Sequence, residues 1–182
     1  MRLAFAASLL AVTLAAPRGE AAPPSWLAQH GLLEGSIDAG WRVAFGNDAR
    51  NPGFSAVTLG GELLVGLSVG AGFGVLVGGH GRVGSTDGGS YDELAGSLGA
   101  VLQVAERVRL LLGGDVGRAW LDMPARSSLF AGGWLASTID VLSLGRGALQ
   151  LCIRLDLVNF IDNIPALPLV SVSFGGGIGA RY

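Results

Sequence analysis

The sequence predicts an all-β fold, an eight-stranded antiparallel up-and-down barrel that crosses a membrane with its strands. Three observations predict it. Apolar and polar residues alternate over long segments, which puts the apolar ones on one face of a strand and would scatter them around a helix. The 182 residues are 50% hydrophobic and only 14% charged, against roughly 25% charged in a soluble domain, and the mean hydropathy is positive. Polar connections marked by Gly or Pro recur at the spacing of a meander.

The elements follow in order. Residues 1–21 read as a secretory signal: Arg2 is the positive start, Leu3 to Ala16 form the apolar run, and Gly19 and Ala21 give a small-x-small cleavage pattern with the cut after Ala21. Residues 22–32 form a periplasmic lead-in, and 33–182 the barrel. In the first strand, 33–45, Leu33, Ile37, Ala39, Trp41, Val43 and Phe45 share one parity, while Glu34, Ser36, Asp38, Gly40 and Arg42 share the other. Further strands are expected at 54–66, 70–83, 92–104, 108–120, 129–141, 148–160 and 169–182, each a little longer than the ~9–11 residues a tilted membrane strand needs.

Two elements are harder to read. The uncharged stretch Leu63 to Gly79 would make a helix of about 25 Å, close to spanning length. Its Gly66/Gly70/Gly74/Gly78 spacing also suits a helical hairpin. Ala71, Phe73, Val75 and Val77 alternate with glycines there, and the alternation elsewhere decides for strands. The sixth segment, "SLFAGGWLASTIDV", follows neither parity cleanly. Gly132-Gly133 would suit a bulge that switches faces, and Trp134 fits either face.

The polar segments "GNDARNPG", "GSTDGGS", "DMPARSS" and "IDNIPALP" follow strands one, three, five and seven as outer loops. "GLSV" and "AERV" are short, and "LSLGRG" is intermediate. Phe45, Phe54, Tyr91, Trp120, Phe130 and Phe160 lie beside the outer loops, where a belt of aromatic rings at the bilayer interface is expected.

Strands that are apolar on one side need lipid on that side, and lipid tolerates no open sheet edge, so the sheet must close. Eight strands leave a bore that side chains fill. The inward parity carries Asp38, Glu62, Asp115 and Asp156 against Arg42, Arg82, Arg109, Arg154 and Arg181. Signs that roughly balance suit a bore in which buried charges need partners. Inward glycines would leave room for these side chains. In the seventh strand Leu151 and Ile153 should touch lipid and Arg154 should face the lumen.

On this pattern, from Leu33 to Tyr182, the chain resembles the small bacterial outer-membrane β-barrels of the OmpA and OmpX type. Its ending carries the resemblance furthest: Tyr182 is last, with Val170, Val172, Phe174, Gly176, Ile178 and Ala180 at alternate positions before it. The resemblance implies that Phe174, Ile178 and Tyr182 belong to a closing strand that the outer-membrane assembly machinery reads, and that this strand pairs with the first. It also implies outer-membrane lipid as the surrounding partner, a monomer, and localisation to the bacterial outer membrane after export.

No catalytic, cofactor or metal site is expected. Gly79 to Gly84 matches G-x-G-x-x-G, but a turn rather than a helix follows it. His80 lies on the inward parity beside Arg82 and should pair with an acid; His30 lies in the lead-in. Some barrels of this kind are lipid A deacylases with a His and a Ser two apart, and neither histidine here has a Ser at that spacing. Cys152, the lone cysteine, excludes an internal disulfide and serves as a small inward filler. A net charge of −2 leaves no footprint for nucleic acid. The expected role is structural or surface-interactive and non-enzymatic. The alternatives are a narrow channel or transporter, and a secreted soluble barrel that holds an apolar ligand inside, which would need the leucine face of the seventh strand to point inward.

Overall fold

In the computed structural model the described residues are 31–44, 53–70, 72–122, 126–161 and 168–181. Eight strands run β1 Gly31–Ala44, β2 Phe54–Gly70, β3 Phe73–Thr86, β4 Gly89–Ala105, β5 Val108–Leu121, β6 Arg126–Leu144, β7 Gly147–Phe160 and β8 Pro168–Arg181. Each pairs antiparallel with its neighbours in the chain. β8 returns to β1 from Leu32↔Arg181 to Ala44↔Leu169, so the sheet is a closed barrel. No helix among the described residues is long and apolar enough to cross a membrane. The strand reading of Leu63 to Gly79 therefore holds, with β2 and β3 meeting at a turn. The signal, His30, Phe45, Ala71 and Tyr182 lie outside the described residues.

The apolar parity faces outward on every strand. Leu33, Ile37 and Trp41 of β1, Leu94 and Leu98 of β4, and Leu151 and Leu157 of β7 are all exposed on the outer wall. Arg154, between them in sequence, is 2% exposed. Closure leaves the sheet without an open edge, the condition for standing in hydrocarbon.

The connections are shorter than the sequence suggested. At one end β2–β3, β4–β5 and β6–β7 join through two residues each, 71–72, 106–107 and 145–146. Gly72 (φ 84°) and Gly145 (φ 65°) take left-handed conformations there, which cost a side-chain-bearing residue strain. The ladder slips one residue just before each of these turns, at Ser68/Gly70, Gln103/Ala105 and Asp140/Leu142. At the other end β3–β4 also closes in two residues, Asp87-Gly88. The segment "GSTDGGS" is thus a strand pair and its turn rather than a long loop, because Ser85↔Ser90 and Thr86↔Gly89 extend the ladder. The other connections at that end span 45–53, 122–125 and 161–167, and it is called the loop end below.

The sixth strand is regular where a bulge was expected. Gly132 and Gly133 stay in register with both neighbours, and the slip falls instead at 140–142. Phe130, Trp134, Ala136, Thr138 and Asp140 all face inward and are buried. The alternation was obscured because three of these inward residues are apolar.

Candidate functional site

The bore of the barrel is built in layers, and its charged layers are the only dense polar chemistry among the described residues. Nearest the loop end lies an apolar cluster of Ala44, Ala56, Tyr91, Ala119, Phe130 and Leu169, joined by Phe160. A second apolar cluster of Leu32, Leu64, Leu76, Val101, Leu111 and Trp134 lies toward the tight turns. The expected polar lumen is therefore interrupted by apolar layers. The aromatic belt changes accordingly. Tyr91, Phe130 and Phe160 sit on the inward parity and are at most 5% exposed, and Phe54 packs against them, with its ring centroid 5.6 Å from that of Tyr91. Trp120 stands on the outer wall. Position relative to a loop does not set the face of a ring; strand parity does.

The central ionic layer draws on six strands. Arg82 of β3 places Nε 3.1 Å from Asp38 Oδ1 and Nη1 2.9 Å from Glu93 Oε1. Arg42 of β1 also pairs with Glu93. Nε2 of His80 lies 2.9 Å from the same Glu93 oxygen, and its Nδ1 is 3.7 Å from Asp115 Oδ2. The phenol of Tyr91 donates to the other Glu93 oxygen. Glu93 thus gathers two guanidiniums, an imidazole and a phenol. Arg154 of β7 pairs with Glu62 of β2, Asp115 of β5 and, at 2.6 Å, Asp156, while its guanidinium carbon sits 4.6 Å from the centroid of the Trp134 ring. Ser97 and Ser171 each donate at 2.6 Å to Asp115 and Asp156. Such pairing of opposite charges is what allows charge inside a low-dielectric bore.

A second ionic cluster lies nearer the tight turns. Arg109 of β5 has Nε 3.0 Å from Glu34 Oε1 and Nη2 2.7 Å from Asp140 Oδ1. Its Nε also donates to Thr138 at 3.0 Å, and Gln150 donates to Asp140 at 3.1 Å. Leu111 on β5 and Ala136 on β6 stand between this cluster and the central layer.

All eight charged residues singled out in the sequence—Asp38, Arg42, Glu62, Arg82, Arg109, Asp115, Arg154 and Asp156—are buried inside the barrel. They fall into the two groups just described rather than one, because Arg109 reaches none of the other seven through the ion pairs above. Glu34, Glu93 and Asp140 were not among them. Glu93 lies two residues before Ala95 on the same inward parity, so the alternation reaches it; Asp140 lies on the strand whose parity was obscured. With these added, the bore holds seven carboxylates against four guanidiniums and His80 among the described residues, an excess of acid rather than a balance.

Large inward side chains fit because the residues facing them are glycines. A Cβ on Gly117 would lie 2.7 Å from Phe130 Cζ, and one on Gly99 would lie 2.9 Å from the Trp134 ring. Cys152 is half-buried against the second apolar cluster, as a filler would be. Phe174 and Ile178 of the closing strand are exposed on the outer wall. No group of three or more metal-ligating side chains occurs among the described residues.

No family model matches the chain, and no curated protein matches it in sequence. Solved structures do. Neisserial surface protein A superposes with a TM-score of 0.53 at 13% identity, over 82% of this chain and 97% of that one. Ail, the attachment invasion locus protein of Yersinia pestis, gives 0.47 at 13% identity over 83% and 98%. Identity this low speaks to architecture alone. The chain therefore has the closed, eight-stranded, all-antiparallel fold of the small outer-membrane β-barrel proteins.

Proposed function

We propose that the chain is an integral protein of the bacterial outer membrane, a monomeric barrel with a filled lumen and a structural or surface-interactive role, without catalysis. In this reading it is exported on a cleaved signal at 1–21, and its loop end faces the cell exterior. Phe174, Ile178 and Tyr182 belong to the segment read by the assembly machinery.

One observation carries the reading. The central arginines are held by carboxylates from across the bore, between two apolar layers. An ion crossing the bore would have to break these pairs and then dehydrate beside Phe130 or Leu111. Either step is costly in a low-dielectric interior. A surface role draws support from the outer wall, which is apolar at mid-strand on all strands and carries Arg118 and Asn159 only toward the loop end, so that water is met at the two ends of the barrel.

Two measurements test it on the full mature chain. Heat-dependent gel mobility of the membrane fraction should show a compact, detergent-resistant species that unfolds on boiling. In planar bilayers the purified barrel should give no steady openings. Steady openings that disappear in Arg82→Ala would replace the filled barrel with a narrow channel. Detergent-free solubility of the mature chain would replace it with a soluble barrel.

A further inference from the structure

Between the two ionic clusters the packing leaves a small cavity. Its wall includes Glu34, Glu62, Trp134, Ala136, Thr138 and Cys152. Its free volume is about 20 Å³, where ~10–15 Å³ is enough to hold one water. Glu62 belongs to the central layer through Arg154, and Glu34 belongs to the turn-end cluster through Arg109. The cavity is therefore where the two clusters face each other across the layer that separates them.

Two of the residues that line it carry a buried polar atom without a hydrogen-bond partner. The indole Nε1 of Trp134 donates to nothing, although the residue is 5% exposed. Glu34 Oε1 lies within ion-pair reach of Arg109 but accepts no hydrogen bond, and Glu34 is 6% exposed. A buried donor left unmet is costly, and a buried carboxylate oxygen met only by an ion pair still has lone pairs to offer; native structures rarely leave such atoms without a hydrogen bond.

The chemistry of these atoms selects the occupant. An indole N–H can only donate, so whatever meets it must offer a lone pair. A bare cation cannot. The carboxylate of Glu34 requires a donor, and an anion cannot supply one. A neutral molecule that both accepts and donates, and is no larger than one water, satisfies both.

We propose that this cavity is a site for a single resident water, which accepts from Trp134 Nε1, donates to Glu34 Oε1 and uses its second proton toward Glu62. The water joins the central layer and the turn-end cluster into one hydrogen-bonded network running along the bore. The inference does not depend on the cellular role proposed above, since it concerns the interior of the folded barrel.

The test uses the full mature chain, ¹⁵N-labelled and folded in lipid nanodiscs, with Trp134→Phe assigning the indole resonance. The Trp134 Hε1 signal should show a cross-peak to water arising from direct contact. Ala136→Val adds methyl groups to the cavity wall without touching a charge, and should abolish that cross-peak while heat-dependent mobility reports an intact barrel. If Ala136→Val does not fold, Cys152→Leu fills the same space from β7. Absence of the cross-peak in the parent, or its survival at full intensity in the folded, filled variant, would overturn the proposal.

Discussion

The ring of Trp134 occupies the space that a side chain on Gly113 would need: a Cβ built on Gly113 would stand 2.6 Å from Trp134 Cζ2. The two residues are direct partners on β6 and β5, so the largest residue of the inner wall lies over a position with no side chain. The same Cβ would stand 2.8 Å from Gly99 Cα and would collide with the carbonyl of Leu98, so Gly113→Ala must shift both the indole and the neighbouring β4 backbone. Overpacking of this kind costs about 1–3 kcal/mol. Gly133, on the outward parity next to Trp134, offers the control, because a Cβ there would meet nothing closer than 3.6 Å. Urea unfolding in lipid vesicles should show a lowered midpoint for Gly113→Ala and little change for Gly133→Ala.

Glu93 is the meeting point of Arg42, Arg82, His80 and Tyr91. Glu93→Ala leaves two guanidiniums without that partner in the interior, and breaking a buried ion pair from one side costs about 3–5 kcal/mol. Asp38→Ala should cost less, because Arg82 keeps Glu93 when Asp38 is lost. The check is the temperature at which each variant loses its compact gel mobility: the larger drop should belong to Glu93→Ala.

Neighbouring residues on β7 should respond oppositely to charge. Ile153 is on the outward parity near mid-strand, and an Arg facing lipid at the midplane costs about 2–4 kcal/mol. Arg154→Leu instead strands Glu62, Asp115 and Asp156, which share its guanidinium. Both Ile153→Arg and Arg154→Leu should therefore lower stability in bilayers, whereas Ile153→Leu should not. Parent-like folding of Ile153→Arg in bilayers would mean that β7 presents the opposite face.

The seam between β1 and β8 closes the barrel, and Gly177 sits in it opposite Ser36. A Cβ on Gly177 would collide with the carbonyl of Gly35 and lie 2.9 Å from Ser36 Cα, while one on Gly176 would come no nearer than 3.6 Å to its first neighbour. Gly177→Ala should thus open the barrel at a lower temperature than Gly176→Ala, a difference read by the same mobility shift. Equal behaviour of the two would show that the seam gives way elsewhere first.

The alternation, clearest from Leu33 to Val43 and from Leu149 to Leu157, was enough to determine strands and their outward wall, and its recurrence between polar connections gave their number. Period-2 placement is a local property of an extended backbone, so a single segment reveals it. The same alternation placed Asp38, Arg42, Arg82 and Arg154 inside. It failed on β6, where Phe130, Trp134 and Ala136 face inward and so erase the contrast between faces. Tyr91 and Phe160 share the inward parity of Glu93 and Asp156, so parity rather than nearness to a loop puts them in the bore, whereas Phe130 lies on β6, where the contrast between faces is lost. Which charge meets which could come only from the closed barrel. Glu62 and Arg154 are 92 residues apart, and they meet because shear and closure bring β2 and β7 to opposite walls of one narrow bore. The layering of that bore, and the water-sized gap between its two ionic clusters, exist only once all eight strands have found their register.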